Sequence, residues 1–162
     1  MAIQGKTDID QLLAKSLKEI AVRRPVEKIT IKEITDKAGV IRPTFYNHFQ
    51  DKFELIEWII RTELLEPVEP LIRNDMIIEA MVLLFTNIEK DKAFYSQLVK
   101  MEGPVKFHDI AKKCVREVLL ELIQNESSGR VSKHKWLTPE VISSYYAPVS
   151  YTHLRAHETS QD

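Results

Sequence analysis

The sequence predicts an all-α protein. Its 162 residues include only four glycines, strict alternation of polar and β-branched residues is missing, and apolar residues recur at spacings of three and four. That spacing places apolar side chains on one face of an α-helix. We expect an N-terminal three-helix helix-turn-helix domain, joined by a fourth helix to a C-terminal helical bundle.

The first helix is predicted from about Asp8 to Arg24, with Thr7 or Asp8 as its N-cap. Pro25 then ends it, because the residue before a proline disfavours helical geometry. Lys15, Lys18 and Glu19 are expected outside the apolar stripe. That stripe consists of Ile9, Leu12, Leu13, Ser16, Leu17 and Ile20.

A second helix is predicted to begin at Ile31. Thr30 followed by Glu33 is typical of a capping box, in which the hydroxyl accepts from a free amide and the carboxylate accepts from the cap residue's own amide. The helix should end at Ala38, since Gly39 supplies the positive φ of a sharp turn.

The third and fourth helices follow closely. The third is predicted over Arg42–Phe49, and the fourth runs from Lys52 to about Leu65 behind an Asp51 cap.

A second region begins after Pro67 and Pro70, which interrupt the helical pattern. Residues 76–89 are apolar on nearly every side, which predicts a helix in the middle of a bundle. Further helices are expected over residues 93–101 and 105–125, with Ala111, Val115, Val118 and Leu122 aligned on the latter. Thr138-Pro139-Glu140 is a typical helix start.

The outward face of the third helix carries the groups that proteins use on DNA. Phe45 and Phe49 share one face and should pack inward. The remaining side chains supply a cation, hydroxyls, an amide and an imidazole, which can contact base edges and phosphate oxygens. They are Arg42, Pro43, Thr44, Tyr46, Asn47 and His48.

The distribution of charge along the sequence also supports DNA binding by this surface. The whole chain has a net charge of −1, so a basic surface must be local. Residues 23–52 contain seven Lys or Arg and four Asp or Glu, a local charge of +3. Lys32 lies on the second helix, and Lys52, beside the free amides that open the fourth, is placed for a phosphate.

Residues 8–60 resemble the N-terminal domain of the TetR family. The likeness includes the segment Ile29–Ile34, which leads into the second helix, and the Ala38-Gly39-Val40 turn. Its most specific part is residues 44–52, which is similar to the family's T-x-Y-x-H-F-x-x-K pattern. Two residues depart from the family: Ile41 stands where a small hydroxyl residue is common, and Pro43 where a small flexible one is.

The resemblance implies a dimeric, sequence-specific transcriptional regulator with one recognition helix per subunit on double-stranded operator DNA. By the same resemblance, Thr44 and Tyr46 would contact the DNA backbone or base edges, and Lys52 would contact phosphate. His48 would contact phosphate or brace the helix. The remaining DNA-binding candidates are Lys32, Arg42, Pro43 and Asn47.

The resemblance also implies that the C-terminal bundle binds an effector, a small molecule or a partner protein. The chain is similar to family members with a Firmicutes-type C-terminal domain, and residues 45–58 are similar to regulators of dihydroxyacetone kinase operons. Candidates for lining an effector cavity are Phe85, Tyr95, Met101, Phe107, His108 and Tyr145, although aromatic residues of this kind are usually ordinary core.

We expect three regions: a DNA-binding domain over residues 1–51, a ligand and dimerisation domain over 52–147, and a non-native tail over 148–162. Residues 150–159 resemble a translated cloning artefact, and Pro148 breaks the preceding helical pattern. Since family members continue here with helices that build the dimer, we expect a homodimer weakened by this tail.

Other classes of protein are disfavoured. The sequence has no phosphate-binding glycine loop, nucleophile elbow or His-Glu-x-x-His pair, so we expect no enzyme, cofactor or metal site. His153 and His157 in the suspect tail are weak evidence for a metal. Cys114, the single cysteine, is expected to be a buried thiol, and the absence of a signal peptide or long apolar run predicts a cytoplasmic protein. The alternative function is a helical protein-interaction module without DNA binding.

Overall fold

The computed structural model describes the backbone of residues 2–126 and the side chains of residues 8–118. This part of the chain is helical and contains no strand, which confirms the predicted all-α class. None of its helices is long and apolar enough to cross a membrane. The helices are α1 (Ala2–Ala21), α2 (Ile31–Ala38), α3 (Arg42–Tyr46), α4 (Lys52–Ile59), α5 (Glu69–Arg73), α6 (Ile77–Lys90), α7 (Lys92–Val99) and α8 (Phe107–Glu126).

Helix α1 starts six residues before its predicted first residue. Thr7 and Asp8 therefore lie inside the helix and do not cap it. The helix can extend this far because residues 1–7 contain no proline. Leu13 and Leu17 are fully buried as expected. The prediction for Leu12 was wrong: its side chain is 39% exposed, since it lies one residue, about 100°, away from the buried face.

Helix α2 confirms the predicted capping box. Thr30 Oγ1 accepts from the backbone N–H of Glu33, and the Glu33 carboxylate accepts from the backbone N–H of Thr30. Gly39 ends the helix in the left-handed region, with φ of +70°. A side chain at this position would be strained, whereas glycine is not.

Helix α3 ends at Tyr46, three residues earlier than predicted, and continues as a turn. Phe49 still donates its backbone N–H to the Phe45 carbonyl at 2.9 Å, so the two rings lie on the same side and are buried. The helix stops early because Asp51 adopts an extended backbone and caps α4, accepting from the N–H groups of Phe53 and Glu54.

The predicted fourth helix has the expected extent but two geometries. Helix α4 passes directly into a π-helical segment, Ile60–Leu65, before Pro67. The core is built around α1, which packs against α2, α4 and α7. Its large buried side chains include Leu13, Leu17, Ile34, Phe45, Leu55, Ile56, Ile59, Phe94 and Leu98.

Helix α6 forms where predicted, but it is not buried all round. Leu84 and Ile88 pack against the core, whereas Ile78, Val82 and Phe85 are 77%, 60% and 59% exposed. The prediction of a central helix was wrong for this face within residues 8–118. The described neighbours of α6 (α5, the π-helical segment and α7) are too few to surround it.

Helix α8 buries a face adjacent to the predicted one. Ile110, Cys114 and Val118 are buried, while Ala111 and Val115 are half-buried. The Leu122 side chain and the predicted helix start at residues 138–140 lie outside the described side chains. The buried thiol of Cys114 is confirmed, and burial, with the nearby carboxylates of Glu57 and Glu117, raises its pKa to about 11.

Candidate nucleic-acid interface

The surface of α3 presents most of the predicted DNA-binding residues to solvent. Arg42, Pro43 and Asn47 are exposed, Tyr46 is 49% exposed, and Thr44 is half-buried. Thr44, Tyr46 and Asn47 lie within one helical turn, so a hydroxyl, a phenol and an amide share a small patch. These groups can donate to and accept from base edges and phosphates.

Arg42 is the cation of this patch. It forms no ion pair or hydrogen bond with another described residue, in contrast to several neighbouring cations. Arg24 pairs with Glu33, and Lys32 lies 2.5 Å from Asp36. Lys32, although 69% exposed, is therefore partly neutralised on α2. No described residue uses the hydrogen-bond donors of Arg42, which can therefore serve a ligand.

Aromatic packing holds the patch in place from beneath. The Phe45 and Phe49 rings lie 5.9 Å apart, and Phe49 meets Trp58 of α4 at 6.2 Å in an edge-to-face arrangement. The ring of Tyr46 stands edge-on to Phe45, with centroids 5.7 Å apart. Aromatic pairs at these separations fix the rotation of α3 about its axis.

His48 faces inward rather than toward solvent. Its Nδ1 lies 2.6 Å from Oδ1 of Asp10 on α1, and the two side chains are only 12% and 13% exposed. Of the two roles expected for His48, this contact corresponds to bracing the helix, and a phosphate contact stays a prediction. Asp10 was missed in the sequence, although a carboxylate in line with Leu13 and Leu17 is the sign of a buried polar partner.

Lys52 is bound to the protein backbone. Its Nζ lies 2.9, 2.7 and 2.8 Å from the carbonyl oxygens of Val26, Glu27 and Ile29. Burial lowers the pKa of this ammonium, and the carboxylates of Glu27, Asp51 and Glu33 oppose that shift. An ammonium has three donors, so all of them are directed at carbonyls here.

Lys18, predicted to lie outside the stripe, is half-buried in an ion-pair cluster. Its Nζ lies 2.7 Å from the Glu63 carboxylate and 2.8 Å from that of Asp91. The cluster connects α1 with the π-helical segment and the start of α7. The cluster borders a cleft of about 600 Å³, which is also lined by Trp58 and Phe94.

The described members of the predicted effector-cavity set lie in different surroundings. Tyr95 and Met101 are core residues, each 5% exposed, and Phe107 packs against that core. Phe85 lines an open groove of about 880 Å³ on α6, and His108 is exposed. Tyr145 lies outside the described residues, as do His153 and His157.

The helix-turn-helix region is similar to known proteins. Residues 14–59 match the sequence model of bacterial regulatory proteins of the tetR family. Over these residues the chain is similar to the DNA-binding part of that family. The match spans the end of α1, the helix-turn-helix and α4, and so contains the whole α3 patch.

The chain is also similar to the HTH-type dhaKLM operon transcriptional activator DhaS of Lactococcus lactis subsp. lactis (strain IL1403). It is 25% identical over 88 residues, which cover 54% of this chain and 47% of that protein. The chain thus matches about half the length of its relative. Both similarities are to bacterial regulatory proteins.

Proposed function

We propose that this chain is a sequence-specific transcriptional regulator that recognises double-stranded operator DNA through α3. The observation that carries the proposal is the exposed polar patch of α3, in which Arg42 has no ion pair with a described residue, on a helix fixed by Phe45 and Phe49. A rigid helix with several polar groups in a fixed arrangement is what readout of the major groove requires.

The residues of the patch suit different tasks. Asn47 carries an amide that can make a bidentate contact with adenine, and Arg42 can contact a phosphate or a guanine. Thr44 and Tyr46 suit the backbone and the thymine methyl group. Lys32 is an additional phosphate candidate if its pair with Asp36 opens, which costs little at an exposed site.

The surrounding charge would supply salt-dependent affinity. Arg23, Lys28 and Arg42 form no ion pair with a described residue, so three cations of the basic segment are available to phosphates. Each phosphate contact releases counterions, and the logarithm of the binding constant should fall steeply with the logarithm of salt concentration.

The test is a titration of the full chain with duplex DNA from upstream of its own gene and with a scrambled duplex, at two salt concentrations. We expect tighter binding to the upstream duplex, weakening steeply with salt. Asn47→Ala should reduce the preference between the two duplexes, whereas Lys100→Met, an exposed control directly after α7, should leave it unchanged. Absence of binding at low salt would overturn the proposal.

For the rest of the molecule we propose a cytoplasmic homodimer in which residues 52–147 bind an effector, a small molecule or a protein. The support is the similarity to the dhaKLM operon transcriptional activator and the cleft beside Lys18, which adjoins both α1 and α7. Thermal stabilisation by small carbonyl compounds would identify a metabolite effector. Light scattering measures the dimer, and a tight dimer at nanomolar concentration would contradict the expected weakening by residues 148–162.

The exposed apolar face of α6 favours a second candidate, an interaction module that acts without DNA. Ile78, Val82 and Phe85 form a surface that a protein partner could cover. Tyr46→Ala separates the candidates, because a DNA-binding protein loses affinity for DNA whereas an interaction module retains its partner.

A further inference from the structure

The connection between α1 and α2 has an unusual concentration of cation contacts to backbone. Four consecutive carbonyls, those of residues 26–29, each accept a hydrogen bond from a side-chain cation. Lys52 donates to Val26, Glu27 and Ile29, and Arg24 donates to Lys28 at 3.1 Å. The segment forms a short 3-10 turn, whose last carbonyls have no helical partner.

The Lys52 ammonium satisfies those carbonyls with a matching number of donors. The three N···O distances lie between 2.7 and 2.9 Å, the range of charge-assisted hydrogen bonds. The side chain is half-buried, so removing the ammonium would leave the carbonyls of Glu27 and Ile29 without this donor, whereas the Val26 carbonyl would keep the backbone N–H of Ile29.

The contact joins the two ends of the helix-turn-helix. Ile29 directly precedes Thr30, the N-cap of α2, and Lys52 is the first residue of α4, directly after the turn that follows α3. Helices α2 and α3 thus lie between the two anchored points in the sequence. Fixing both ends restricts how α2 and α3 can move relative to α1 and α4.

We propose that Lys52 is a positioning residue, which staples the start of α4 to the turn before α2 and so sets the angle at which α3 is presented to DNA. This inference rests on the proposed DNA binding for its functional consequence. It differs from the phosphate contact that the family resemblance implies for Lys52. A phosphate would have to compete with three carbonyls for the same three protons.

The first arm of the test compares Lys52→Met with Arg42→Gln, since both remove one positive charge from the same domain. The readout is the salt slope of DNA binding, measured on the full chain below the unfolding temperature of every variant. Arg42→Gln should lower the slope by about one unit. Lys52→Met should leave the slope within about 0.3 of wild type while affinity falls about tenfold at each salt concentration, equivalent to about 1.4 kcal/mol.

The second arm uses Lys52→Arg, which keeps the charge. A planar guanidinium cannot direct donors at three carbonyls arranged around one point, although it is an excellent phosphate ligand. We expect Lys52→Arg to show the affinity loss of Lys52→Met and faster amide hydrogen exchange at residues 26–31. Lys100→Met should exchange like wild type.

Opposite results would overturn the staple. These are a drop of about one unit in the salt slope for Lys52→Met, or wild-type affinity and exchange for Lys52→Arg. The exchange measurement needs no DNA, so it tests the staple even if the wild-type chain fails to bind DNA. In that case unchanged exchange in both Lys52 variants rejects the staple, and faster exchange retains it while the proposed function fails.

Discussion

The imidazole of His48 is hydrogen-bonded through Nδ1 to Asp10 Oδ1 at 2.6 Å, and this contact ties the residues after α3 to α1. Both side chains are nearly buried, so the pair is shielded from solvent. The contact explains why an acidic residue occupies the inner face of α1. It also means that the orientation of α3 depends on a residue 38 positions away in the sequence.

His48→Ala should destabilise the protein by about 2 kcal/mol, because it leaves a buried carboxylate without its hydrogen-bond donor. Asp10→Asn should cost less, since the amide can still bond to the ring. Urea denaturation measures both free energies of unfolding. His108→Ala, at an exposed histidine, is the matched control, and an equally small effect of His48→Ala would show that the pair contributes nothing.

Glu33 should contribute stability only above acidic pH. Hydrogen bonds from the Thr30 backbone and hydroxyl, together with Arg24, lower the pKa of Glu33 from 4.5 to about 2. Because the folded-state pKa is depressed, the contribution is complete above pH 4.5 and is lost as pH falls toward 2. The difference in unfolding midpoint between wild type and Glu33→Gln should therefore shrink over this range. A difference in midpoint that stays constant over this pH range would contradict the lowered pKa of Glu33.

Gly39→Ala should destabilise by about 1 kcal/mol through backbone strain alone. A Cβ at this position would meet no atom within 4 Å, but φ is +70°. Gly103→Ala is the matched control: its φ is not in the left-handed region, and its Cβ would only make an ordinary 3.5 Å contact with Glu27 Cγ. Thermal unfolding should separate the two variants, and equal melting temperatures would argue against strain.

Lys18→Met should be clearly more destabilising than Lys15→Met on the same helix. Removing the Lys18 ammonium leaves Glu63 and Asp91 facing each other half-buried, which should cost at least about 1 kcal/mol, whereas Lys15 is exposed. Burial lowers the pKa of Lys18, but the hydrogen bonds of Asp91 and Glu63 outweigh it, so the pKa is raised above 10.5. The stabilisation is therefore complete below pH 10.5 and lost at higher pH. Equal unfolding midpoints for Lys18→Met and Lys15→Met would refute the predicted difference in stability.

Local features of the helix-turn-helix could be predicted from the sequence because they depend on neighbours in the chain. The Thr30–Glu33 capping box, the positive φ of Gly39 and the inward Phe45–Phe49 pair each involve residues within a few positions. Interactions between near neighbours in the chain decide such features, so the all-α class and the exposed face of α3 could be predicted from the sequence.

The tertiary structure alone decided which polar groups are available to a ligand. Lys52, Lys18 and His48 all carry side chains that suit an exposed surface, yet each is held by partners 23 or more residues away. The burial of α6 was likewise overestimated, because apolar composition states what a helix can bury but not which elements lie beside it. The sequence by itself thus determined the all-α class and the exposed polar face of α3, whereas long-range packing determined whether a given cation contacts carbonyls, carboxylates or solvent.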